Sequence, residues 1–332
     1  MRPITRRQLL QYTAAAALYA DPWGILPAMA QSGSQSAPYP RRPIELVVPW
    51  QAGGGADVIA RAYAAAAGKH LPQPIVVVNK PGASGAVGLS DVIQAAPDGY
   101  RLALATSELT FLKHLGLAKF SYQDLRPIAR LNADPAALIV RADAPWKTLE
   151  DFLDAARKAD GATTVGNAGV GSTWHMAATA LAQKTNTPVN HVPFPGGAPG
   201  LLALLGGHID AVSVSTAEAA AYVEAGKLRA LAVMADRREP GYENVPTLKE
   251  RGIDLSVGIW RGLAAPRDTP DDVIRVLRTA TAQAVKEPLW LDTLRNQRFS
   301  TNTYADADEL ATAMARESAF FAELSKTLNI RN

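Results

Sequence analysis

The sequence has no cysteine, so a disulfide framework, a thiolate nucleophile and lipid attachment at a cysteine are all excluded. Its five histidines, His70, His114, His175, His191 and His208, show neither H-x-x-E-H nor H-E-x-x-H spacing, and no zinc site is expected. Charge of one sign is scarce as well: 34 Lys+Arg stand against 31 Asp+Glu, and no basic stripe carries interleaved aromatics. Nucleic acid is therefore not an expected partner. After residue 31 no apolar run reaches the roughly 20 residues that cross a bilayer, and no repeat recurs at fixed period, which disfavours a solenoid.

What is present first is an address. Arg2, Arg6 and Arg7 lead into an apolar stretch from Leu9 to Ala20, and Ala28, Met29 and Ala30 supply small residues for cleavage. "TRRQLLQ" is similar to a twin-arginine export signal, departing from it at Leu9 and Gln11. The expectation is export to the periplasm with residues 1–30 removed, then a loose Ser/Gly/Pro-rich leader over 31–42. The remaining chain is expected to be soluble and monomeric. An apolar content of 48% and 332 residues exceed one ordinary core and suggest two compact units.

Short β-branched runs then alternate with stretches of helical period: "IELVVPW", 56–70, "IVVVN", 84–95, "RLALAT". A second series begins near Leu138, and the last third returns with "SVGIWRGLAAP" and two amphipathic helices. This alternation predicts an α/β protein of two lobes, each a mostly parallel sheet flanked by helices.

Three strand-to-helix turns are rich in glycine: Gly53, Gly54 and Gly55; "VGNAGVGSTWHM" at 165–176; and "HVPFPGGAPGLL" at 191–202. The first is not a phosphate loop, because Ala56 and Asp57 stand where Lys and Ser/Thr are required. Neither "GGGADV" nor "GASGAVG" spells G-x-G-x-x-G. Such turns either make a tight corner or expose N–H groups at a helix start, where the dipole favours an anion such as a carboxylate. Ser172 or Thr173 can cap a helix or donate to a ligand. Thr106 and Ser107 pose the same choice, while Trp50 and Trp260 stack on a ligand or pack. Lys80 reads as a solvated or structural cation, not a ligand contact. A hydrolase built on Ser172 and His175 lacks an orienting acid.

At these motifs the chain resembles the Bug-type periplasmic solute receptors, the binding components of tripartite tricarboxylate transporters. "RPIELVVPWQAGGGADVIAR", "PIVVVNKPGASGAVG", "APDGYRLALAT", "GNAGVGSTWHMAA", "HVPFPGGAPGLLALLGGHIDA" and "WRGLAAPRDTPDDVI" carry the likeness in the family's order. The resemblance implies a type II-like two-lobed binding protein, with no cofactor, that closes on a small carboxylate: an amino acid, a dicarboxylate or an aromatic acid. It implies transporter membrane subunits, or a sensor kinase, as partners. The expected lobes are 43–137 with 260–332, and 138–259. Carried over by position, the ligand would meet Trp50, Gln51, Ala52, Gly53, Gly54, Gly55 and Asp57 on one side. On the other it would meet Asn167, Ala168, Gly169, Gly171, Ser172, Thr173 and His175. Ser84, Phe194, Gly196 and Gly197 complete the expected cleft, with Thr106, Ser107 and Trp260 at its margins. Trp50 and Gln51 depart from the family's usual Phe-Ala-Pro, and Ser84 replaces a common glycine.

Overall fold

The computed structural model describes residues 39–301 and 303–326; the expected export signal and most of the leader lie outside them. The leader's last residues are held. Tyr39 donates its hydroxyl to Gly99 O and meets the Tyr100 ring edge-on at 5.1 Å, and Arg42 lies over Tyr100 and bonds Asp98. Tyr39 to Arg42 thus depart from the expected loose leader, because two aromatic rings bury more apolar surface there than a solvated leader would.

β1 (Ile44–Val48), β2 (Ile75–Asn79) and β3 (Arg101–Thr106) run parallel, with α1 (Gly55–Ala67) and α2 (Ala86–Ile93) as their crossovers. Helix α1 forms because Ile59, Ala62, Tyr63, Ala66 and Ala67 share one face, and all of them are buried. β4 (Leu125–Arg141) leaves this lobe and enters the next, where α3 (Leu149–Lys158), β5 (Thr164–Asn167), α4 (Thr173–Lys184), β6 (Asn190–Pro193), α5 (Gly197–Leu205), β7 (Ala211–Ser215), α6 (Thr216–Glu224) and β8 (Leu228–Val233) follow. β9 (Gly258–Pro266) returns, followed by α7 (Asp271–Ala284), α8 (Pro288–Asn296) and α9 (Ala307–Leu324).

The strand order is β2-β1-β3-β9-β4-β7-β5-β6, with β8 also on β4. Each lobe keeps the parallel set its alternation demands, β1 to β3 in one and β5 to β7 in the other. Each set is completed by antiparallel strands, because the chain must pass between lobes and come back. β4 pairs β9 through Pro135 and pairs β7 and β8 from Ala136 onward. Met234 and Val257 tie the crossing at Ala136 by backbone hydrogen bonds of 2.7 to 3.0 Å. Two large apolar cores follow: one runs from Ala136 to Ile259, the other joins Ile44–Leu131 to Leu263–Phe299 and takes in Ala217 of α6.

Candidate functional site

The cleft between the lobes holds a cavity of about 210 Å³, small beside the roughly 300–1,000 Å³ typical of drug-sized sites. Trp50, Gln51, Ala52, Gly54, Gly55 and Ala56 line it from the first lobe. Ala168, Trp174 and the stretch from Pro195 to Pro199 line it from the second. A neighbouring cavity, lined by Ser84, Gly169, Val170 and Phe194, shares Trp50, Gln51 and Ala168 with it.

Helix starts give the cavity its electrostatic character. α1 begins after Gly54 and α5 after Gly196, and neither has a side-chain cap. The first N–H groups of both helices therefore stay available at the cavity wall, with the positive ends of two dipoles behind them. α4 differs. Ser172 Oγ accepts the His175 N–H at 3.2 Å, and Glu108 Oε1 accepts both the N–H and the hydroxyl of Thr173 at 2.8 Å. A carboxylate of the first lobe already occupies the anion position at the start of α4, so the turn open to a ligand in the second lobe is Gly196–Gly197.

Several expected residues are placed elsewhere. Asp57 lies three residues into α1, so its side chain points back to accept the Gly53 N–H at 2.9 Å, and it also pairs with Arg61 and bonds Asn79. These partners hold its carboxyl below the usual range against the opposing effect of burial. Gly53 serves that turn and does not line the cavity. Trp260 faces the opposite side of β9 from Ile259 and Arg261, as the two-residue period of a strand requires, and donates to Glu317 Oε2 at 2.6 Å within the core. Thr106 and Ser107 are fully buried off the cavity, Ser107 bonding Thr173 across the lobes at 3.0 Å. Asn167 accepts the Gly169 N–H at 2.9 Å. His175 Nδ1 accepts the Gly171 N–H at 3.1 Å, and burial first, then His191, lowers the imidazole to about 4. Ser172 Oγ thus meets a backbone N–H, not an imidazole, and nothing there activates it as a nucleophile. Gly171 packs so closely on Leu117 of the other lobe that a Cβ would lie 2.2 Å from it.

Three charged residues of the cavity wall escaped the sequence reading. Arg261 is 1% exposed; its Nη1 bonds Asp134 Oδ2 at 2.5 Å and its Nη2 lies 3.4 Å from Glu218 Oε1. Burial pushes the Glu218 carboxyl up to about 7, opposed by Arg261 and reinforced by Asp134 and Glu108. Glu108 is the third. The usable signal was an arginine inside the apolar strand "GIWRGLAAP", since a buried guanidinium demands acidic partners. Glu218 was hidden because "STAE" reads as a capping box, of which only the Ser215 half forms.

Comparison with known proteins agrees with this architecture. Residues 59–330 match the model of the tripartite tricarboxylate transporter family receptor. The chain is 34% identical over 325 residues to the UPF0065 protein in gbd 5'region of Cupriavidus necator, covering 97% of this chain and 96% of that one. Among solved structures, a TctC solute binding protein from Polaromonas with no ligand is 53% identical (TM-score 0.70; 88% of this chain, 100% of that one). The periplasmic binding protein BugD is 30% identical (TM-score 0.81; 87% and 98%). MatC from Rhodopseudomonas palustris with bound malate is 28% identical (TM-score 0.80; 86% and 100%). With one family matched over most of its length and a relative of this identity along nearly all of both chains, the chain belongs to the tripartite tricarboxylate transporter family of receptors.

Proposed function

We propose that this protein is a periplasmic receptor that captures a small carboxylate between its lobes and presents it to a tripartite tricarboxylate-type transporter. The observation that carries the reading is the convergence of two uncapped helix starts, α1 from one lobe and α5 from the other, on a single cavity. A carboxylate there takes hydrogen bonds from both, each charge-assisted bond contributing about 1.5–3 kcal/mol net. Neither lobe alone offers the full set, so the ligand favours the closed arrangement. The malate bound to MatC supports the ligand class.

The chain superposes better on malate-bound MatC than on the more similar ligand-free Polaromonas protein, which supports reading the lobes described here as closed. Bonds between lobes support it too: Ser84 Oγ donates to Val170 O, and Thr173 meets Ser107 and Glu108. Trp50, Gln51, Ala168, Gly196 and Gly197 are the residues this reading places against the ligand, with the peptide segments at Asn132–Leu138 and Val257–Gly262 as hinges.

Thermal unfolding of the chain, freed of co-purified ligand, against mono-, di- and aromatic carboxylates tests the reading. At 100 times its Kd a ligand adds about 2.7 kcal/mol, a rise of roughly 4 °C for a chain of this size. Neutral sugars that raise the transition where every carboxylate fails would overturn it.

A further inference from the structure

The polar atoms around the cavity fall into two sets of opposite chemistry. The starts of α1 and α5, the indole Nε1 of Trp50 and Nε of Arg261 offer N–H donors, the last two buried without an acceptor. Glu108 Oε2 and Glu218 Oε2 are carboxylate oxygens in the same wall, buried without a donor. Glu108 is 1% exposed, and Thr173 fixes its orientation through the other oxygen. Glu218 has only the 3.4 Å contact with Arg261, whose charge is engaged more closely by Asp134. Asp134 and Glu218 thus share one guanidinium, and the wall keeps two carboxylate oxygens that no donor meets.

A second carboxylate on the ligand would meet like charge out of water, where repulsion is weakly screened. A protonated amine instead supplies donors to both unpaired oxygens. We infer that Glu108 and Glu218 are specificity-determining residues, which select among small carboxylates one that also carries a cationic nitrogen. The ligand's carboxylate lies at the starts of α1 and α5, and its nitrogen lies against the two glutamate oxygens. The inference rests on the carboxylate-receptor reading above and adds the chemistry of the ligand's other end. The glycine turns belong to the same device: a Cβ at Gly197 would lie 1.9 Å from Glu218 Oε2, and one at Gly55 would lie 2.8 Å from Arg261 Nη2 and 3.1 Å from Glu218 Oε1. Both turns leave the glutamate its place.

Calorimetric titration of the chain tests this with matched probes. β-Alanine is set against succinate and 4-aminobutyrate against glutarate, each pair exchanging an ammonium for a carboxylate on the same carbon chain. Glutamate, propionate and butyrate complete the panel. At least one amino member is expected to bind about tenfold or more tighter than its diacid and its desamino acid. Glu108→Gln and Glu218→Gln are each expected to bring that ratio down about tenfold, whatever the absolute affinities become, with thermal unfolding used to check that both variants fold. Diacids that bind more tightly than their amino partners to the unaltered chain overturn this inference alone. Failure of every carboxylate in the panel overturns it together with the reading beneath it.

Discussion

At the scale of single residues, the cleft shows how one side chain can be fixed by conflicting demands. Ser84 keeps a left-handed backbone conformation, with φ of 51°. That conformation costs a non-glycine residue about 1 kcal/mol, and the hydroxyl offsets it by reaching Val170 O in the other lobe. Glu317 is a second case. Burial first, helped by Glu108, pushes its carboxyl up to about 7, although hydrogen bonds from Trp260 and Thr110 act the other way. The folded chain therefore binds this proton more tightly than the unfolded chain, whose carboxyl sits near 4.5. The stability it contributes is full below about pH 4.5 and is lost as the pH rises through about 7. Glu317→Gln removes that dependence. Urea unfolding at both ends of this range should find the variant gaining on the parent by on the order of 2 kcal/mol toward high pH; parallel pH curves would contradict the assignment.

At the scale of elements, the ends of helices decide which turns can serve a ligand. "GSTWHM" reads from sequence as either a helix cap or a ligand donor, and in the structure the capping role takes Ser172 while Glu108 takes Thr173. Ser172→Ala is accordingly expected to cost about 1 kcal/mol of stability, seen as a lower urea midpoint with unchanged slope; an unchanged midpoint would mean that the bond to His175 N contributes nothing. The first half of β4, "LRPIARLNADP", was not legible as a strand. It contains Pro127 and Pro135 with Asn132 and Asp134, all residues that strands disfavour. Pairing with β9 overrides those preferences, with irregularities between Pro127 and Ala129 and between Arg130 and Asn132. Helix α8 was missed because Leu289, Trp290 and Leu291 are consecutive and so mark no single apolar face.

At the scale of the molecule, the proposed receptor binds by shifting between lobe arrangements. Phe111, Met176 and Phe321 form a small buried cluster where the lobes meet, with the two phenyl rings 4.5 Å apart. Met176 belongs to α4 of the second lobe, and Phe111 and Phe321 to the first. None of the three lines the cavity. Phe321→Ala removes apolar contact made between lobes, so the closed population falls and apparent ligand affinity falls by the same factor. Small-angle scattering should show a larger radius of gyration for this variant and a smaller ligand-induced contraction. An unchanged affinity together with an unchanged radius would exclude the cluster from closure.

The sequence by itself determined the fold class and most of the elements. Alternating β-branched runs and amphipathic stretches specify parallel β–α–β units because apolar period is a local property, and the glycine turns announce where those units present backbone to a ligand. Tertiary structure alone decided which turns meet at the cavity. Glu108, Glu218 and Arg261 lie far apart along the chain, and each has an ordinary local reading as a turn residue, a cap or a strand residue. They become one charged wall only when β4 and β9 bring the lobes together, because charge pairing depends on distance in space and leaves no periodic trace in sequence.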